Sequence, residues 1–355
     1  MSVLDRYVVR TILSAVLLVM VVFLMLGGLW VLIDQLDDIG IGHYTAWSAL
    51  WYTLLNLPQQ AYELLPITVL IGTLLGLGTL ARGSELTVVR ATGVSVARLA
   101  GMTLMAAGLL IGVELVLGEF LGPPLQQVAR EQKAFSKLNN VSFGTGSGAW
   151  VRDGDLIFNV AGQSGQRQFG GMQIFELSPQ HQLLALGHAR RATAGSNRKW
   201  LLTDYAESRF SGDTVSSTPP AERIIESNVT AGFLGLAVQD PDQLTIGALW
   251  RLIRYYQSNA LDAREYVFAF WSRIARTVAV AFCALLAIPF ALGPLRSTGA
   301  GTRMLLGLVL GIAFFLMQRL IESSTVVFAL NPVLLAWLPA AVLATVSLGL
   351  LSRTR

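Results

Sequence analysis

The sequence predicts a membrane α-helical protein of six transmembrane helices, with an all-β domain inserted between the third and fourth. Three observations carry this. Hydrophobic residues make up 53% of the 355 positions against 14% charged, with mean hydropathy +0.57, outside the soluble range. Six apolar runs are each long enough to cross a bilayer. The interval between the third and fourth runs changes period from helical to strand-like.

A bilayer core needs about 20 apolar residues in a helix, and Thr11 to Ile33 provides them without a charge. The residues after it, Asp34, Gln35, Leu36 and Asp37, are no small-residue cleavage site, so the run is expected to be retained. Further spans are predicted at Leu64 to Ala81, Leu99 to Gly122, Val267 to Gly293, Met304 to Ile321 and Pro332 to Leu351. The expected division is therefore 1–122 for the first three spans, 123–240 for the β domain, 241–265 for a connector helix and 266–355 for the last three.

Arginine placement orients the spans. Arg6 and Arg10, then Arg82, Arg90 and Arg98, then Arg296 and Arg303, and finally Arg353 and Arg355 fall on one side of six alternating spans. Asp34 to Asn56 and Ser323 to Asn331 carry no Lys or Arg. Both termini are thus expected in the cytoplasm and the β domain outside. The same dispersal argues against nucleic-acid binding despite a net charge of +4, because the cations form no patch.

In the β segment, AWVRDGDLIFNVA reads as a hairpin whose Asp153-Gly154 suits a type I′ turn. GMQIFELS, QLLALGHARRATA and KWLLTDYAESRF read as further strands. Leu156, Phe158, Val160, Ile174, Phe175 and Leu177 are the expected inward residues. Beyond Pro241, Leu244, Leu249, Leu252, Ile253 and Tyr256 recur at helical spacing and predict an amphipathic connector.

Catalytic signatures are not found. The lysines, Lys133, Lys137 and Lys199, lie in no GxxxxGK[ST] context, and Gly144 to Gly148 lacks the strand-to-helix setting of a phosphate loop. His43, His181 and His188 form no HExxH, and Gly162 to Gly165 misses the GxSxG spacing. The single cysteine, Cys283, leaves no intrachain disulfide. No catalytic residue, metal ligand or cofactor is expected on this chain.

ARGSELTVVRATGVSVARLA, between the second and third spans, predicts a short helix over 84–93. Ser84 is its expected N-cap, Glu85 sits at the positive end of the dipole, Gly93 closes it, and Ser95 caps the third span. Leu86 and Val89 share one face, leaving Arg82, Glu85 and Arg90 for a cytosolic partner. A surface loop anchored by snorkelling arginines fits the same residues. Near the outer ends of the fourth and fifth spans, Arg273, Arg276 and Arg319 stand where the positive-inside rule disfavours them. They suit phosphate recognition, and equally internal pairing with Glu114, Glu119 or Glu322.

VLDRYVVRTIL, the DQL at Asp34 to Leu36, GLGTLARGSELTVVRATGVS, GEFLGPP, DPDQLTIGALWRLIRYY and FALGPLRS together resemble the LptF/LptG permease family of the lipopolysaccharide export transporter. The resemblance covers essentially the whole chain in the family order, and the LDRY opening and DPD connector look more like the LptG branch. It implies a periplasmic β-jellyroll, a heterodimer with LptF, an LptB dimer binding ATP and Mg in the cytoplasm, and delivery of lipopolysaccharide with LptC to the LptA bridge. It further implies that 84–93 is the coupling helix, with Arg82, Ser84, Glu85, Leu86, Val89 and Arg90 facing the ATPase. The first and fifth spans then form lateral gates, making Leu24, Leu26, Trp30, Ile33, Phe314, Phe315 and Leu316 expected acyl-chain contacts. Where the family carries cations at the outer end of span one, this sequence has Val31, Asp37 and Asp38. The competing readings are a non-transporting scaffold, a lipid hydrolase, and a lipoprotein exporter of four spans.

Overall fold

The computed structural model describes residues 2–41, 43–137, 149–165, 168–178, 182–195, 199–211, 214–227, 240–259, 261–292, 299–327 and 331–353. Helix α1 runs Val3–Leu36, opened by a capping box in which the Ser2 hydroxyl and the Asp5 carboxylate exchange backbone bonds. It buries Val8, Ile12, Val16 and Val19 and exposes Leu17, Leu18, Met25, Leu26 and Trp30.

Helix α2, Ala46–Arg82, begins well before the predicted Leu64 and is capped by Thr45, which accepts from the Ser48 amide. It is the central helix. Gly72 and Gly76 face α1 so closely that a Cβ on Gly72 would stand 2.4 Å from the Val16 Cα. The small-xxx-small spacing lets two backbones approach where lipid gives helices no hydrophobic drive to associate.

Helices α3, Glu85–Ala91, and α4, Val96–Val116, follow. The chain then continues through a π-helical turn, Leu117–Leu121, into α5, Gly122–Lys137. The expected start of the β domain at 123 is therefore corrected: 122–137 is helix. Pro123 and Pro124 look like breakers but fall in the first turn of α5, where a missing N–H costs little.

Six strands follow: β1 Ala149–Asp153, β2 Leu156–Gly165, β3 Gln168–Leu177, β4 Leu183–Ala194, β5 Lys199–Ser211 and β6 Thr214–Glu226. They form one antiparallel meander in chain order. At the first turn Gly154 takes φ +61 while Asp155 is not left-handed, which fits a type II′ turn rather than I′. Phe158, Val160 and Ile174 are buried as expected, with Phe158 opposite Ile174, whereas Leu156, Phe175 and Leu177 are half-buried. The edge strand β6 is exposed nearly throughout; without alternation it gives no strand signal.

Helix α6, Ile246–Ser258, is the predicted connector. Leu244, Leu249, Leu252, Ile253 and Tyr256 are all buried against the sheet core of Val151, Phe158, Phe169 and Trp200. Tyr255 donates to the Arg152 carbonyl, and Tyr256 to that of Trp150 at 3.3 Å. Helices α7, Arg264–Leu292, α8, Ala300–Val327, and α9, Pro332–Arg353, complete the membrane part. Among the described residues five helices are long and apolar enough to cross a membrane, and α8 contains a shorter apolar stretch, Leu305–Ile321. Their common core joins α1, α2 and α4 to Ala279, Val280, Cys283, Leu286 and Ile288 of α7.

Candidate coupling and cargo sites

The segment between α2 and α4 is built from its caps. Ser84 adopts φ +61, ψ 2 and makes no side-chain capping bond. Ser84 holds the N-cap position, its carbonyl accepting the Thr87 and Val88 amides at 3.1 and 3.0 Å, but the expected hydroxyl cap is not made from this left-handed backbone, which also forms the bend leaving α2. At the other end Gly93 takes φ +90, and the Val94 amide reaches the Val89 carbonyl at 3.4 Å, the wrap of a Schellman ending. Ser95 caps α4 by accepting from the Arg98 amide at 3.2 Å.

Leu86 is buried in the helix core and Val89 half-buried, while Arg82, Ser84, Glu85 and Arg90 are exposed. The apolar face therefore anchors α3 and the charged face is free to contact solvent or a partner. A cavity of about 350 Å³ lies beside it, lined by Ala81, Leu86, Thr87, Arg90, Ala91, Ala291 and Leu292. Glu85 also has an internal partner that the sequence gives no sign of. Tyr7 of α1 donates to Glu85 Oε2 at 2.9 Å.

At the opposite end of the helices, the three candidate arginines separate. Arg273 is 6% exposed and donates to the Gly118 carbonyl at 2.9 Å and the Asp242 carbonyl at 3.1 Å. Its Nη1 lies 3.7 Å from Glu119 Oε2. Internal pairing, one of the two readings open in the sequence, is what this residue does.

Arg276, one turn on, is half-buried with its guanidinium 5.1 Å from the Tyr62 ring centre. With the Gln318 amide turned so that its oxygen faces Arg276, Nη2 and Nε donate to it at 2.8 and 3.3 Å. Arg276, exposed Arg319 and half-exposed Phe315 share one cavity of about 550 Å³. Its wall also carries Glu63, Asp242 and Glu265.

On α1, Leu26, Trp30 and Ile33 are exposed and Leu24 is half-buried; on α8, Leu316 is exposed but Phe314 is only 7% exposed. Phe314 packs into the helix core, because it is the α8 residue turned toward α7 and α9. At the C-terminal end of α1, Asp38 pairs with Lys133 of α5 at 2.7 Å. A cation thus reaches this end of α1 in space although the last turns of α1 carry no Lys or Arg of their own.

The family model for "Lipopolysaccharide export system permease LptF/LptG" matches residues 6–353. The chain belongs to the LptF/LptG permease family. Among LptF/LptG permeases, the lipopolysaccharide export system permease protein LptG of Escherichia coli K12 is 31% identical over 99% of this chain and 98% of its own length. LptG of Haemophilus influenzae is 28% identical over 99% of both chains. LptF of E. coli K12 is 24% identical over 94% of this chain and 90% of its own. As an LptF/LptG permease with several long apolar helices, the chain is a multi-pass membrane protein carrying a separate antiparallel sheet.

Proposed function

We propose that this chain is the LptG-type subunit of the lipopolysaccharide exporter. It pairs with an LptF-type subunit in the inner membrane, with both termini in the cytoplasm and the sheet in the periplasm as a jellyroll-like domain. Helix α8, Ala300–Val327, counts as the sixth span, its 28 residues being long enough to cross a bilayer core. The two-branch comparison supports the LptG type, since LptG relatives match more of the chain at higher identity than LptF relatives.

The observation that carries the reading is the build of α3. A helix of seven residues, anchored by Leu86 and closed by Gly93, presents Glu85 and Arg90 between two spans. Such a segment is stiff enough to take a push from a docked subunit. The ATPase that pushes is LptB, which binds the ATP and Mg; this chain contributes the seat.

Cargo enters at the outer ends of α1 and α8. Leu26, Trp30, Ile33 and Phe315 offer apolar surface for acyl chains, and Arg276 with Arg319 offers the phosphate forks. Because the same cavity wall bears carboxylates, a phosphate gains the arginines only in competition with them, which keeps the grip reversible. The cargo then passes, with LptC, toward the LptA bridge.

Affinity purification of the tagged chain from its native membrane tests the reading. An LptF-type subunit, an ATPase and lipopolysaccharide are expected to accompany it in stoichiometric amounts. A chain that comes out without any ATPase would instead be a scaffold.

A further inference from the structure

The N-terminal turns of α1 are laced to both ends of the coupling segment. From α3, Glu85 Oε2 accepts the Tyr7 hydroxyl at 2.9 Å. From the first turn of α4, Arg98 reaches Asp5 Oδ1 at 3.6 Å and the Ser2 hydroxyl at 3.5 Å. Asp5 and Ser2 are the capping box of α1, so this second tie grips the helix end itself.

These two ties differ in what they can transmit. Arg98 and Asp5 are a solvent-screened pair, with the Arg98 side chain 54% exposed, and such pairs hold little. Tyr7 has a rigid ring and only two side-chain torsions, and it donates to an ionised acceptor, the stronger kind of hydrogen bond. A carboxylate accepts at two oxygens. With Oε2 committed to Tyr7, Oε1 can meet a partner at the same time.

Further along α1, the close approach of Val16 to Gly72 and of Ile12 to Gly76 leaves no slack between α1 and α2. A displacement delivered at Tyr7 therefore moves α1 as a rod against that seam rather than being absorbed in side chains. The other end of the rod is the exposed face of Leu26, Trp30 and Ile33.

We propose that Tyr7 is a positioning residue for transport: through its bond to Glu85 it passes movement of α3 to α1, and so links the cytoplasmic ATPase to the cargo-facing end of α1. This rests on the exporter reading above, and deepens it by naming the connection between seat and gate.

The test uses the whole complex purified from native membranes, wild type and Tyr7→Phe, reconstituted into vesicles containing lipopolysaccharide. ATP hydrolysis, lipopolysaccharide extracted per ATP and thermal midpoint are measured together. Tyr7→Phe is expected to keep the ATPase bound and the midpoint unchanged while cutting lipopolysaccharide extracted per ATP by roughly fivefold, the scale of one lost hydrogen bond. An unchanged ratio would overturn the proposal, whether or not the midpoint falls. Loss of the ATPase from Tyr7→Phe would also overturn it, by making Tyr7 part of the docking surface. Absence of an ATPase from the wild-type complex is a different result, and it strikes the exporter reading.

Discussion

Arg273 Nη1 stands 3.7 Å from Oε2 of Glu119, and that same carboxylate accepts the Ile246 amide at 3.0 Å and the Gly247 amide at 3.5 Å. One guanidinium and one carboxylate thus join three pieces of chain: the π-helical turn after α4, the start of α6 beneath the sheet, and α7. The turn itself opens where Gly118 meets the Tyr62 ring, which would lie 2.6 Å from a Cβ. π-Helical turns interrupt the regular bonding ladder, and here a freed carbonyl, that of Gly118, is taken up by Arg273.

Arg273→Ala is accordingly expected to weaken the fold, on the order of 3 kcal/mol for a buried charge partner removed from a bonded network. Arg273→Lys does not restore it, since one ammonium cannot span the Gly118 and Asp242 carbonyls as the planar fork does. Thermal unfolding in detergent checks both variants, and a midpoint equal to wild type for either would remove the joint.

Arg276→Ala should lower that midpoint less than Arg273→Ala, through loss of the Gln318 bonds and the Tyr62 contact, and in addition lower the lipopolysaccharide that co-purifies. Loss of charge-assisted bonds to one phosphate corresponds to roughly tenfold weaker retention. Quantifying bound lipid A by mass spectrometry distinguishes the two arginines, which lie one turn apart and share the ring of Tyr62 at 5.2 and 5.1 Å.

Gly72→Ala is expected to destabilise the α1 to α2 seam by about 1–3 kcal/mol through overpacking. Its new Cβ would meet the Val16 backbone, which cannot move aside as a flexible side chain could. Gly108→Ala, where nothing lies within 4 Å, is the control and should be neutral or slightly stabilising. Thermal midpoints of the two variants measured side by side give the contrast.

Outside the membrane, Asp262 caps α7 by accepting the Arg264 amide at 3.0 Å and pairs with the Arg264 guanidinium at 2.9 Å. The backbone bond first, and the arginine after it, hold its carboxyl below the usual value. A depressed carboxylate contributes stability above its unfolded pKa and loses it as pH falls through the folded pKa. The stability gap between wild type and Asp262→Ala should thus be full at neutral pH and narrow only below about pH 4. Thermal midpoints against pH measure it; a gap that widens on acidification would contradict the assignment.

How much of this was legible in the sequence depends on the residue. The uncharged run in α1 announced itself by composition, whereas the first half of α2 did not, because Pro58, Gln59, Gln60 and Glu63 break the apolar signal. Those side chains are tolerated as α2 is packed by neighbours there: Gln59 is only 2% exposed, and Gln60 donates to the Gly27 carbonyl of α1. The ends of the segment between α2 and α4 divided likewise. Gly93 and Ser95 act locally and were readable, while Ser84 is bent by the exit from α2, a tertiary constraint.

The candidate sites show the same limit. Helical spacing puts Arg273 and Arg276 on adjacent turns but cannot tell which of them a carbonyl 155 positions away consumes. Lys133 beside Asp38, and Tyr7 beside Glu85 at a separation of 78 residues, are likewise products of helix packing. No periodicity in one segment could have paired them.

The central claim is that α3 seats an ATPase through Glu85. The most direct measurement is ATP hydrolysis by complexes purified through this chain, wild type against Glu85→Arg, with the amount of bound ATPase determined in the same samples. The account predicts that wild type carries an active ATPase and that Glu85→Arg loses it while the permease pair and its thermal midpoint persist. Full retention of the ATPase and its activity by Glu85→Arg would contradict the account.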